Sequence, residues 1–235
     1  DDRKLGMALD IDFGTFGFES LTSSFERTEI IALRGYVRPL QKAISVPIIK
    51  NIAVGASAAR DFDPDGRTAT NDGVTVYGID AEVPILNSRL INLMAYWDWA
   101  QIYGYSAILD KSRTFGNGHM AGLQLDFPAL TSFLDVRAKF ERRIMSKEFV
   151  PSFYNAFYEI QRYQPQKTEV YKTDMLLNIT EETKGWFGEL YGSLLGGAVQ
   201  LVGNYSYLDD QARSGIMHLA MEAPNAVPVL AAHAS

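Results

Sequence analysis

Apolar and polar residues take turns along most of this 235-residue chain, with a period of two. In Leu5-Met7-Leu9-Ile11-Phe13 the odd positions are apolar, and Asp10 and Asp12 fall between them. Leu134, Val136, Ala138 and Phe140 alternate with Asp135, Arg137, Lys139 and Glu141. Val199, Leu201, Tyr205 and Tyr207 alternate with Gln200, Asn204 and Ser206. Successive side chains of a strand point to opposite sides, whereas a helix repeats every 3.6 residues, so this pattern specifies strands with one apolar and one polar face. Segments of about ten alternating residues are also the strand signature of a transmembrane barrel. Strands are expected near 4–13, 28–39, 49–60, 73–84, 89–103, 118–127, 133–144, 153–163, 168–179, 186–194, 198–208, 215–223 and 227–235.

The connections between these segments alternate in length. Short turns are expected at 84–88, 128–132, 195–197 and 224–226, and longer polar loops at 61–72, 104–117, 146–152 and 208–214. An internal repeat supports a meander. Gly78 to Leu90 matches Gly122 to Leu134, and Met217 to Pro224 is a weaker copy. Each copy ends in an acid, an apolar residue and a proline: Glu82-Val83-Pro84, Asp126-Phe127-Pro128, Glu222-Ala223-Pro224. Proline cannot donate to a ladder, so it is expected to end the strand there. A recurring hairpin unit builds a sheet by adding neighbours.

Composition removes several classes of function. Net charge is −6 and pI about 5.1, without the basic footprint of a nucleic-acid binder. There is no cysteine, hence no disulfide, thiolate metal site or cysteine nucleophile. Mean hydropathy is −0.08, too polar for a bundle of membrane helices. The uncharged stretch Leu190 to Leu208 contains Gly196-Gly197 at its middle and reads as a hairpin rather than a spanning helix. The opening Asp1-Asp2-Arg3-Lys4 leads straight into alternation, as a mature chain would.

Alternating strands of about ten residues, short and long connections in turn, and a charged inner face resemble the porin-like outer-membrane proteins of bacteria with two membranes. The resemblance is architectural and covers nearly the whole chain. It implies an all-β fold: one antiparallel up-and-down transmembrane β-barrel domain over residues 1–235, located in the bacterial outer membrane. The odd number of expected strands, and an end at Ala231-Ala232-His233-Ala234-Ser235 without the usual terminal aromatic, suggest a barrel incomplete at one or both ends.

Little in the chain points to catalysis. His119, His218 and His233 have no second metal ligand at helical or hairpin spacing, and no phosphate loop or dinucleotide fingerprint is present. No catalytic residue, metal or cofactor is expected. The informative chemistry is a charged ladder on the polar parity: Asp135, Arg137, Lys139, Glu141 and Arg143 on one strand, with Arg34, Arg38, Asp80, Glu82 and Asp126 on others. Facing lipid, basic residues would each cost about 2–4 kcal/mol at mid-bilayer, so these ten residues are expected to line a lumen. There they either neutralise one another and plug the barrel or form a field that selects solutes. Trp97, Trp99, Tyr103, Tyr105, Phe153, Tyr154, Phe157, Tyr158 and Trp186 are expected to form interfacial aromatic girdles. The working reading is a channel for passive passage of small polar solutes. The alternative is a structural barrel anchoring a surface layer or partner through its outer loops. Expected partners are outer-membrane lipid and possible contacts with other envelope proteins or a second copy; nucleic acid is not expected.

Overall fold

The computed structural model describes residues 6–23, 29–65, 72–131, 134–155, 158–164, 170–209, 211, 214–227 and 230–234. Twelve strands form one antiparallel sheet in chain order: β1 (Met7–Asp12), β2 (Phe16–Thr22), β3 (Ile30–Val37), β4 (Ala53–Asp61), β5 (Val74–Asn87), β6 (Asn92–Ser106), β7 (Lys111–Thr131), β8 (Leu134–Met145), β11 (Thr183–Leu194), β12 (Val199–Leu208), β13 (Ile216–Val227) and β14 (Leu230–Ala234). A separate pair, β9 (Tyr163–Gln164) and β10 (Val170–Tyr171), lies in the connection between β8 and β11. Among the described residues there are also three short α-helices: α1 (Pro47–Lys50), α2 (Tyr158–Gln161) and α3 (Lys172–Leu176).

The meander is as the repeat implied, but the sheet is open. Among the described residues β1 and β14 are edges and do not pair, so the expected closure is not made. The main sheet holds an even number of strands rather than the odd number expected, for two reasons. Phe16–Thr22 is a strand the alternation did not reveal, and the segments near 153–163 and 168–179 are not wall strands. The expected loop 104–117 is also mostly strand: β6 and β7 run on to a turn at 107–110. The 38–52 connection, at the rim where turns were expected to be short, holds α1. Residues 195–198 form the tight turn expected inside the uncharged stretch, with Gly197 at φ +95.

The repeated prolines do something other than end strands. The ladder shifts register between Pro84 and Leu86, between Phe127 and Thr131, and between Ala223 and Val227, and in each case the strand continues. A residue that cannot donate is accommodated by a bulge, which bends the strand and raises its twist. The repeat therefore encodes three bends near one rim.

Antiparallel partners directly opposite one another point to the same face. One row across β5 to β12 is Ala81, Trp97, Ala121, Arg142, Trp186 and Tyr207. Rows nearer the short-turn rim on that face are apolar, such as Leu93, Leu125, Ala138, Leu190, Gly203 and Leu219. Leu190 is 56% and Leu219 67% exposed, because no second layer covers this face among the described residues.

The buried core sits elsewhere. The described residues between 146 and 182 leave the sheet and pack back onto it, and Phe149, Phe153, Tyr158 and Leu176 of this excursion are buried with Ile30, Val74, Ile102 and Phe115 of the strands. This overturns the girdle assignment for Phe153, Tyr154 and Tyr158, whose rings meet one another edge-on or tilted inside the excursion; Phe157 lies outside the described residues. Tyr105 likewise meets the excursion, edge-on to Tyr171. Trp97, Trp99, Tyr103 and Trp186 stay on the apolar parity.

Candidate functional site

The opposite face is charged. Its rows include Glu82, Tyr96, Gly122, Glu141, Phe187 and Ser206, and below them Asp126, Arg137, Tyr191 and Val202. Of the ten ladder residues, the nine that lie in strands share this parity: Arg34, Asp80, Glu82, Asp126, Asp135, Arg137, Lys139, Glu141 and Arg143. Arg38 lies just beyond β3 at the rim, 3.2 Å from Asp12, and also donates to the carbonyl of Gly14.

Two clusters dominate. Arg34 donates to Glu19 at 2.8 Å, to Asp80, and to Glu82 at 3.5 Å, with its guanidinium 5.2 Å from the Tyr36 ring centre. Glu141 is nearly fully buried and accepts from Tyr96 Oη at 2.7 Å and from Arg143 Nε at 2.7 Å, with Lys139 Nζ 3.1 Å away. Arg143 in turn lies 3.7 Å from the Phe187 ring centre. A smaller pair joins Arg137 to Asp126 at 2.6 Å. Asp135 is exposed. Each of these bases is thus tied to an acid, and among the described residues further acids share the face: Asp98 stands opposite Asp80 in register, Asp10 opposite Glu19, and Glu189 opposite Lys139.

The excursion covers this charged face at the rim away from the proline bulges. Phe149 lies against Gly118 and Thr173 approaches Gly104, and both glycines have the charged-face parity. Asp61, fully buried, accepts from Tyr158 Oη at 3.0 Å and from Arg162 at 3.4 Å; Arg162 also meets Glu29 at 2.7 Å. Burial, with the negative charge of Asp61 nearby, pushes the Tyr158 hydroxyl far up, so it stays a donor. Burial works against the charge on Arg162, but Asp61 and Glu29 outweigh it and hold Arg162 above its ordinary value. Burial alone lowers Lys172, whose ammonium donates to the Phe153 carbonyl at 2.6 Å. Outside the sheet, the hydrogen bond from Arg142 holds Asp209 below the usual carboxylate range.

Three openings run along the charged face. The largest, about 570 Å³, lies between strands and excursion, with Ile102, Phe149, Phe153 and Tyr154 at one side and Asp10, Glu19 and Arg34 at the other. It shares Arg34, Ser57, Gly78 and Ala100 with a second of about 340 Å³ bordered by Asp80, Glu82 and Asp98. That one shares Glu82 with a third of about 350 Å³ at the α1 rim, bordered by Arg38 and Met94. Comparison of the chain with protein-family models, curated proteins and solved structures returns no match.

The ladder was readable from parity. The tie from buried Asp61 in β4 to Arg162 of the excursion was not, since the partners are separated by 101 positions.

Proposed function

We propose that this chain forms the wall of a bacterial outer-membrane barrel through which small polar solutes pass, with a preference for cations. The observation that carries the reading is the two-faced sheet: a broad apolar face with no covering layer, and a charged face along which the three openings share lining residues. An uncovered apolar face of this size needs lipid or a partner to shield it from water. The aromatic row Trp97, Trp186 and Tyr207 lies toward one end of that face, where amphipathic rings mark a lipid–water boundary. In lipid an unpaired edge is untenable, so on this reading β1 and β14 are joined through further strands or a second copy. Surplus carboxylates along the charged face set the cation preference.

One observation favours the plugged, structural alternative: the excursion packs over the charged face at one rim. Conductance across a planar bilayer separates the two. The channel reading expects detergent-dependent solubility, stable conductance, and a reversal potential that moves further toward cations in Arg137→Glu with Lys139→Glu. Monomeric behaviour in plain buffer removes the membrane reading, and silent bilayers favour the plug.

A further inference from the structure

The charged face is not charged throughout. Ala8, Leu21, Ala32, Ala59, Val76 and Ile102 stand opposite one another across β1 to β6, on the ladder's side of the sheet. The next row toward the proline bulges is Asp10, Glu19, Arg34, Ser57, Gly78 and Ala100. Alanine and glycine reach only a short way from the wall, so these rows leave room beneath the excursion. Phe149, Val150, Phe153 and Tyr154 line the far side of that room and do not fill it, which is why an opening of about 570 Å³ remains. Small-molecule sites typically enclose about 300–1,000 Å³, with mostly apolar walls and a few polar groups that fix orientation. Leu21 is still 50% exposed at this opening, apolar surface that an apolar ligand would cover. The Tyr154 hydroxyl is already engaged, donating to the Val74 carbonyl at 2.7 Å and accepting from the Asp61 N–H at 2.9 Å. The charged side chains of the lining therefore lie at one end: Asp10, Glu19 and Arg34. At that end acids outnumber the base. Arg34 is divided among Glu19, Asp80 and Glu82, and Asp10 stands opposite Glu19 in register.

We propose that this cavity binds a small organic cation, an apolar body carrying one ammonium group. The body lies against Ala32, Ala59 and Phe149, and the ammonium group meets Asp10 and Glu19. The chemistry at each end selects this class. A hydrated inorganic cation gains nothing from the apolar wall. A neutral apolar molecule leaves the acidic end unused, and a carboxylate is repelled by it. An ammonium group donates to the carboxylates that Arg34 alone does not neutralise, while the rest of the molecule covers apolar surface. The site stands whether or not the wall conducts.

The test is calorimetric titration of the folded full chain in a neutral detergent, with protein-free micelles as the blank. The probes are phenylbutylamine, phenylbutanol and phenylbutyrate, which share a body and differ in the head group. One phenylbutylamine per chain is expected, with the alcohol bound about tenfold more weakly and the carboxylate more weakly again. Glu19→Gln should weaken the amine about tenfold and leave the alcohol unchanged. Ala59→Phe should abolish binding of both by filling the cavity. Glu182→Gln removes the same charge from an exposed position outside the lining and should change nothing. Circular dichroism reports whether each variant is folded. Glu19 is 41% exposed, so its variant keeps the native sheet and decides the matter even where Ala59→Phe does not fold. The proposal is overturned if the native chain does not bind the amine, or binds the alcohol equally well. It is also overturned if Glu19→Gln leaves the amine unaffected, or if folded Ala59→Phe still binds. Silent bilayers with amine binding intact would count against the conduit and not against this site.

Discussion

Between β8 and β11 the chain departs from the pattern of the strands on either side. In the wall, the large apolar side chains of one face are among the most exposed of the molecule: Phe140 at 54%, Met217 at 74%. In the excursion several are nearly fully hidden: Phe153 at 3%, Leu176 at 2%. The excursion gathers its aromatics into a small core around Asp61, Tyr158 and Arg162, as a water-soluble domain does. The wall spreads its aliphatics over an unshielded surface. The contrast is between two solvents: water shapes one region, and on the proposed reading lipid shapes the other.

The sharpest way to test the contrast is to remove the excursion. Replacing residues 150–178 with a short glycine–serine linker should leave the wall able to assemble and should raise conductance severalfold, read in planar bilayers. Failure of the sheet to form would mean that its stability depends on the excursion. Next in size, Val136→Arg on the apolar face should impair assembly by about 2–4 kcal/mol, measured by denaturant titration in detergent. Arg162→Leu should loosen the excursion by about 2 kcal/mol, because it strands buried Asp61 and is only partly exposed itself. Its signature is faster hydrogen exchange in 146–182 with strand amides unchanged. Tyr158→Phe should do the same more weakly, by about 1 kcal/mol for one lost hydrogen bond. Arg137→Val, next to Val136 but on the other face and half-exposed, should change stability by less than about 0.5 kcal/mol. Equal behaviour of Val136→Arg and Arg137→Val would contradict the face assignment.

The wall was legible because each strand carries two faces of opposite polarity, which a period of two records directly. β2 escaped because Phe16, Phe18, Ser20 and Thr22 share one side while Leu21 joins Glu19 on the other, so neither side is uniformly apolar. The excursion misled for a different reason. Met175, Leu177 and Ile179 alternate like a strand, but α3 and the turn after it expose Met175 and pack Leu177 and Ile179 against the core beside buried Leu176, so the three share no face. Tertiary packing decided that segment, and local periodicity did not record it. The proline repeat was visible, but not its consequence. A missing donor can end a strand or bulge it, and only the partner strand decides which. The charged ladder was found by parity; the tie from Asp61 to Arg162 has no local signal.

The charged face has no side chain at Gly122 or Gly55, and larger neighbours fill the gaps. The Tyr96 hydroxyl lies 2.6 Å from where a Cβ on Gly122 would stand, and the Asp80 carboxylate lies closer still to the corresponding point on Gly55. Tyr96 and Asp80 therefore recline along the wall instead of standing up from it. The bore of any conduit along this face is thereby set as much by absent carbons as by the charges present. On the proposed reading, a methyl at either glycine would lift its neighbour off the wall, away from Glu141 in one case and from Arg34 in the other, narrowing the passage and dispersing its charge in one step.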